Sequence, residues 1–275
     1  MDLSQTGNDF AGRTVVMTGG TGVLGSQIAV ALAQHGATLA LLSRDPSRAR
    51  PVVEEIARTK GNARVFTADA LDKTSLEKAE REINKNLGHA HILINAAGGN
   101  NPNATTNHDQ NFFQLSDDAL KQVVDLNLLG TMLPCQVFGR DMAEQKEGVI
   151  LNVTSMSAFR PLTRVPAYSA AKAAVSNFTQ WLAVYMAQEF SPNIRVNAIA
   201  PGFFLTDQNR FLLTDQQSGK LTPRGQKIVE HTPAGRFGQR EDLIGTVLWL
   251  LSPGAKFITG IVVPVDGGFS AYAGV

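Results

Sequence analysis

A chain of 275 residues, 43% hydrophobic and 18% charged, holds enough apolar material for a substantial buried core. Its formal net charge of +1 gives no electrostatic reason to expect nucleic acid or an anionic membrane as a partner. The single cysteine, Cys135, excludes an internal disulfide framework and a cysteine-based zinc cluster, and no metal site is expected. Cys135 is read as a small buried hydrophobe. The opening stretch MDLSQTGNDFAGR has no apolar core of signal-peptide length, and no run of about eighteen apolar residues follows, so a cytoplasmic protein is expected.

The first element is the apolar, β-branched run at 14–18 (TVVMT), the pattern of a buried strand. Gly20, Gly22 and Gly25 then spell G-x-G-x-x-G, and Val23, Leu24, Ile28, Ala31 and Leu32 recur at helical spacing. A glycine turn between strand and helix lets backbone amides approach a pyrophosphate at the helix start. On this stretch alone a plain tight turn that needs positive φ stays open. Further strands are predicted at 38–43, 64–67, 91–95, 149–154, 195–200 and 261–265, with helices over 23–35, 47–59, 73–87, 117–145, 167–189 and 240–251. Short apolar strands separated by helices imply parallel pairing through right-handed crossovers. The expected fold is α/β, a single-domain, doubly wound, Rossmann-like parallel sheet over 1–275 with helices on both faces. Its ligand would sit beyond the strand C-termini. Two segments on that side break the rhythm. We read 98–114 as a substrate loop and 201–238 as a lid.

The stretch NVTSMSAFRPLTRVPAYSAAKAAVSNF places Ser155 at the end of the fifth strand and Tyr168 and Lys172 at the opening of the next helix. A spacing of four puts the tyrosine and lysine side by side on one helix face. A phenol of pKa ~10 is a poor base at neutral pH, and a neighbouring ammonium is expected to lower it into range for proton transfer. Ser155 could then hydrogen-bond a substrate oxygen beside the phenol.

On these residues the chain resembles the short-chain dehydrogenase/reductase family. The family's Y-x-x-x-K stands as Tyr168–Lys172 and its serine as Ser155; NAAG stands at 95–98, the helix asparagine as Asn127, Pro201 and Gly202 after the sixth strand with Thr206 following, and VDGG at 265–268. The resemblance implies hydride transfer between a nicotinamide cofactor and an alcohol or carbonyl carbon. Tyr168 would be the general acid/base, Lys172 would tune it and bind the ribose, and Asn127 would hold a water in the proton relay. Cofactor contacts are expected from Gly19, Thr21, Gly22, Val23, Leu24, Ser43, Arg44, Asp69, Ala70, Asn95, Ala96, Ala97, Gly98, Tyr168, Lys172, Pro201, Gly202 and Thr206. One departure stands in the glycine loop: the family's T-G-x-x-x-G-x-G would put a glycine at 23, where this chain has Val23. It bears on the loop's conformation rather than on the cofactor class.

At the end of the second strand, Ser43 followed by Arg44 replaces the acid of NAD-preferring relatives. A neutral residue plus a guanidinium suits a 2′-phosphate, so NADP(H) is favoured, with NAD(H) possible. The stretches AAGGNNPNATT, SMSAFRPLTRVPAYSAAKAA, RVNAIAPGFFLTDQNR and VDGGFSAYAGV resemble the bacterial mannonate oxidoreductase (fructuronate reductase) branch of the family. That implies a small-molecule sugar-acid substrate, D-fructuronate or D-mannonate. Asn100, Asn101 and Asn103 offer amides suited to its hydroxyls, and Ser157 is a further substrate candidate. Arg160 and Arg164 are candidates for its carboxylate, Arg160 being favoured by its nearness in sequence to Ser155. His108 is read as a loop residue. A reductase of 5-ketogluconate or another keto-sugar is the alternative substrate reading. A non-catalytic cofactor-binding regulator is the alternative of another class, and it would need none of Asn127, Ser155, Tyr168 and Lys172. Helices 117–145 and 167–189, apolar on more than one face (LLGTMLPCQVF, NFTQWLAVYM), are expected to pair with symmetry mates in the family's common homotetramer.

Overall fold

Strand β1 (Thr14–Thr18) is buried at all five positions because helices cover the sheet on both sides. Val15 and Met17 face one hydrophobic core and Val16 the other, as the two-residue period of a strand requires. The computed structural model describes residues 10–205, 210–215 and 219–274. In chain order, β1 is followed by α1 (Val23–Gln34), β2 (Thr38–Ser43), α2 (Arg50–Arg58), β3 (Asn62–Thr67), α3 (Lys73–Leu87) and β4 (Ile92–Asn95). Then come α4 (Asp117–Val124), α5 (Gly130–Gln145), β5 (Gly148–Val153), α6 (Pro166–Glu189), β6 (Ile194–Pro201), α7 (Arg210–Leu213), α8 (Pro223–Glu230), α9 (Ile244–Leu251) and β7 (Val262–Val265).

Among the described residues the seven strands form one sheet in the order β3-β2-β1-β4-β5-β6-β7, every pair parallel. The order reverses between β1 and β4, which opens a crevice beyond their C-terminal ends. Thr18 lies opposite Asn95 and Asn95 opposite Asn152, so the loops after β1, β4 and β5 emerge side by side. On one face Ile28 and Leu32 of α1, Val52 and Ile56 of α2 and Leu250 of α9 pack on the sheet. On the other, Leu76 and Ile83 of α3, Phe138 and Met142 of α5 and Leu182 and Met186 of α6 do the same. Phe138 is fully buried there, and its replacement by alanine is expected to cost about 3–5 kcal/mol.

Two expectations need correction. The helix read over 117–145 is broken at Asp125–Leu129 by a π turn. There the side-chain amide of Asn127 donates to the carbonyl of Val123 at 2.8 Å, competing for the acceptor that regular helix would use. The segment 201–238, read without helices, holds α7 and α8. Thr222 caps α8 by accepting from the amide of Gly225, and Pro223 opens it; that Thr-Pro pair was the available signal. On the outer face of α5 and α6, Trp181 (57% exposed) stacks between Phe178 and Tyr185 beside a cavity of about 640 Å³. Among the described residues, no helix is long and apolar enough to cross a membrane.

Candidate active site

The turn between β1 and α1 depends on two glycines. Gly19 has φ +68°, and a Cβ there would lie 2.3 Å from the backbone of Ala96; a Cβ on Gly25 would lie 2.2 Å from the carbonyl oxygen of Gly19. Gly22 is the N-cap of α1 with an ordinary φ of −79°, and Val23 begins the helix, so the altered glycine spacing leaves the turn closed and the helix start intact. No side chain caps α1 and no acid lies in its first turn. Its leading amides are therefore open toward an anion.

Above this turn runs a groove of about 580 Å³ lined by Thr21, Gly22, Ser43, Arg44, Asp69, Ala70, Ala96, Ala97 and Gly98. It adjoins a second cavity of about 350 Å³, sharing Gly19, Gly22, Ala96 and Gly98 with it. Val23, Leu24, Ser155, Tyr168, Lys172, Pro201 and Gly202 line that second part. A long groove that passes over an uncapped helix start at the switch point fits a dinucleotide, its pyrophosphate at the amides. Asp45 and Arg48 also line the first part and were not singled out in the sequence; both lie in the turn after β2 beside Arg44. The Ser43 hydroxyl donates to the carbonyl of Asp45 at 2.7 Å, and Asp69 accepts from the amide of Leu71 at 3.0 Å. Asn95 is a correction. Its side chain is buried under the sheet end, donating to Asn152 Oδ1 at 2.9 Å and to Cys135 Sγ at 3.1 Å, and it lines neither part of the groove. Thr206 lies outside the described residues.

The strand-to-helix corner after β5 gathers the reactive side chains. Lys172 is only 4% exposed, and its ammonium donates to the carbonyl of Val153 at 2.8 Å. Burial pulls its pKa down to about 8. Tyr168 is half buried, and burial pushes its phenol above the ordinary range, with hydrogen bonding to Ser155 opposing the shift. The expected lowering by the ammonium is thus corrected: desolvation of the phenol dominates, and Lys172 Nζ stands 5.7 Å from the ring centre, turned to Val153. The Ser155 oxygen accepts from the amide of Ser157 at 3.2 Å, which leaves its own proton to donate. Asn127 is fully buried; its amide donates to the carbonyl of Gly99 at 2.7 Å and its Oδ1 accepts from the Gly99 amide at 3.3 Å. A Cβ on Gly98 would stand 2.7 Å from Asn127 Oδ1 and 3.1 Å from Lys172 Nζ. The loop after β4 therefore threads between the π turn and α6.

The substrate candidates divide. Asn100 donates to Thr105 Oγ1 at 2.8 Å, and Asn101 donates to Gln122 Oε1 at 3.0 Å and accepts from the Asn103 amide. Asn100 thus bonds within the loop and Asn101 both within it and to α4, and neither lines the groove. Ser157 is buried, its hydroxyl without a hydrogen-bond partner, and it lines neither part of the groove. Arg160 donates to the carbonyl of Ser270 at 3.1 Å, which ties it to the C-terminal segment. Burial, with the charge of Arg164 as the lesser cause, holds the Arg224 guanidinium at the start of α8 below its usual range. Arg224 was missed because only the tertiary fold brings α8 to the loop of Arg164. His108 is exposed beside Asp109.

A dinucleotide groove that ends against a tyrosine and a buried lysine belongs to nicotinamide-dependent oxidoreductases, since a protein that only held the cofactor would have no use for a proton donor there. Comparison with known proteins narrows the class. A family model described as enoyl-(acyl carrier protein) reductase matches residues 21–270. The uncharacterized oxidoreductase UxuB of Bacillus subtilis is 47% identical over 97% of this chain and 98% of its own. A Haemophilus influenzae protein provisionally named a D-mannonate oxidoreductase, solved with bound NAD, is 44% identical with a TM-score of 0.91, covering 98% of each chain. An Agrobacterium tumefaciens protein provisionally named a 2-deoxy-D-gluconate 3-dehydrogenase, solved with bound NADP, is 30% identical with a TM-score of 0.80, covering 95% of this chain and 98% of that one. The chain belongs to the short-chain dehydrogenase/reductase family, and it is an NAD(P)-dependent oxidoreductase.

Proposed function

We propose that the protein interconverts a keto sugar acid and its alcohol, D-fructuronate and D-mannonate being the pair we favour. The observation that carries this reading is the groove that ends against Ser155, Tyr168 and Lys172, with two exposed arginines, Arg164 before α6 and Arg224 at the start of α8, that have no ion pair to a carboxylate among the described residues. A guanidinium with no carboxylate partner favours an anionic ligand. The name of the Haemophilus influenzae relative supports the same substrate class.

When bound, the nicotinamide cofactor supplies or accepts the hydride. The chain's part is the proton and the geometry. Tyr168, a phenol that is protonated at neutral pH, donates to the carbonyl oxygen as it becomes a hydroxyl. Ser155 donates a second hydrogen bond to that oxygen and holds it against the phenol. Lys172 keeps N–H groups beyond the one on Val153 for the cofactor ribose. The Asn127 carbonyl accepts from Thr131 Oγ1 at 2.9 Å and has a second lone pair for a relay water. Arg44, joined by Arg48, makes NADP(H) the favoured cofactor, with NAD(H) also accepted. A second copy of the chain covers the Phe178–Trp181–Tyr185 face in a homotetramer, whose mass light scattering would read at micromolar concentration; a monomer would overturn that assignment.

The test is a screen of the purified protein for oxidation of NADPH and NADH with D-fructuronate, 5-keto-D-gluconate and neutral ketoses. Turnover with fructuronate at the highest kcat/KM is expected. Preference for 5-keto-D-gluconate or a neutral ketose would replace the fructuronate assignment.

A further inference from the structure

Of three consecutive residues at the end of β5, two each reach a different atom of α6. Val153 offers its carbonyl to the Lys172 ammonium, and Ser155 lines the same cavity as Tyr168. Thr154 lies between them, is 2% exposed, and donates from Oγ1 to the main-chain carbonyl of Lys172 at 2.7 Å. Ser176, one turn further along α6, donates to the same carbonyl at 3.1 Å, and the two hydroxyls lie 3.1 Å apart. The Thr154 amide donates to the carbonyl of Ile199 at 2.9 Å, which anchors it to β6. The lysine is thus held at both ends of its residue, by its side chain and by its carbonyl, from the last residue of β5 and the one that follows it.

Valine differs from threonine at this position by the hydroxyl, so Thr154→Val removes the hydrogen bond to the Lys172 carbonyl. What the hydroxyl adds is a directional bond from the sheet to the helix, one residue from Ser155 and one turn from Tyr168. Sliding α6 along β5 would have to break it. We propose that Thr154, seconded by Ser176, is a positioning residue that sets the register of α6 on β5 and so holds the Tyr168 phenol against Ser155. The proposal rests on Tyr168 being the proton donor. Displacement of a reacting group by about 1 Å can cost on the order of 10²-fold in rate.

The experiment compares Thr154→Val, Thr154→Ser, Ser176→Ala and Tyr168→Phe in carbonyl reduction, with NADPH binding and melting temperature measured on each. Thr154→Val is expected to lower kcat by about ten- to a hundredfold while KM and the cofactor Kd stay within about twofold. Thr154→Ser should restore kcat to within about threefold of wild type, because it returns the donor. Ser176→Ala should lower kcat by a smaller factor, and it keeps the proposal testable should Thr154→Val fail to fold. An unchanged kcat in Thr154→Val overturns the proposal. So does a loss of kcat, cofactor binding and melting temperature together that serine does not rescue, since that marks a merely structural role. A Tyr168→Phe variant that keeps its rate overturns the proton-donor reading itself; an inactive one beside an unaffected Thr154→Val overturns the positioning role alone.

Discussion

At the β5–α6 corner, Val153 and Thr154 each hold an atom of the facing helix, whereas across the cleft Asn100 and Asn101 bond within their own segment and to Gln122 on α4. The corner stands on two regular elements packed by a shared core, so its hydrogen bonds are fixed by the sheet. The loops over the cleft have no such backing, and their polar groups satisfy one another. Sites on strands and helices hold geometry more closely than sites on loops. The proton transfer we propose sits at the corner, and in the same proposal discrimination among substrates falls to two exposed arginines, Arg164 on the loop before α6 and Arg224 at the start of α8.

The largest effect should come from the corner. Tyr168→Phe deletes the transferable proton and is expected to lower kcat by about 10²–10⁴-fold, with NADPH binding by fluorescence titration nearly unchanged. A variant with more than half the wild-type rate would remove the corner from the chemistry. Next comes the loop side. Fructuronate should exceed fructose, its neutral counterpart, by about 10²-fold or more in kcat/KM, because only the acid offers a carboxylate to a guanidinium. Arg164→Ala and Arg224→Ala should each collapse that ratio by weakening fructuronate, and Arg160→Ala should leave it largely intact, since Arg160 is tied to Ser270. An unchanged ratio in both variants would mean that the loops do not read the acid group.

A smaller change is expected at the other end of the groove. Arg44→Ala should raise the KM for NADPH about tenfold, about 1.4 kcal/mol, and affect NADH much less. Equal losses would show that Arg44 does not read a 2′-phosphate. The last is a stability effect of the buried lysine. Its pKa falls from 10.5 to about 8 on folding, so between those values the unfolded chain binds more protons and stability rises with pH. That contribution is complete above pH 10.5 and lost as pH falls to about 8. Melting temperatures of wild type and Lys172→Met across this window should diverge by roughly 6–12 °C, about 3 kcal/mol at about 2–4 °C per kcal/mol. Parallel curves would mean that Lys172 is not desolvated as its position implies.

What the amino-acid sequence determined by itself is what local period and spacing encode. The strands at 14–18 and 38–43 and the helix at 73–87 stand where their patterns put them, because burial on both faces writes a continuous apolar run and amphipathic burial writes a helical one. The glycine turn and the Tyr168–Lys172 pair were legible for the same reason, since a turn or a spacing of four needs no distant partner. Tertiary structure alone decided the rest. It turned Asn95 inward to Asn152 and Cys135, closed Asn100 and Asn101 on their surroundings, brought Arg224 to Arg164, and set Tyr168 above the usual phenol range by burying it. Each of these depends on which residues far apart in the chain come to share a low-dielectric space, and a hydrogen-bond partner or a desolvation cost exists only once that space has formed.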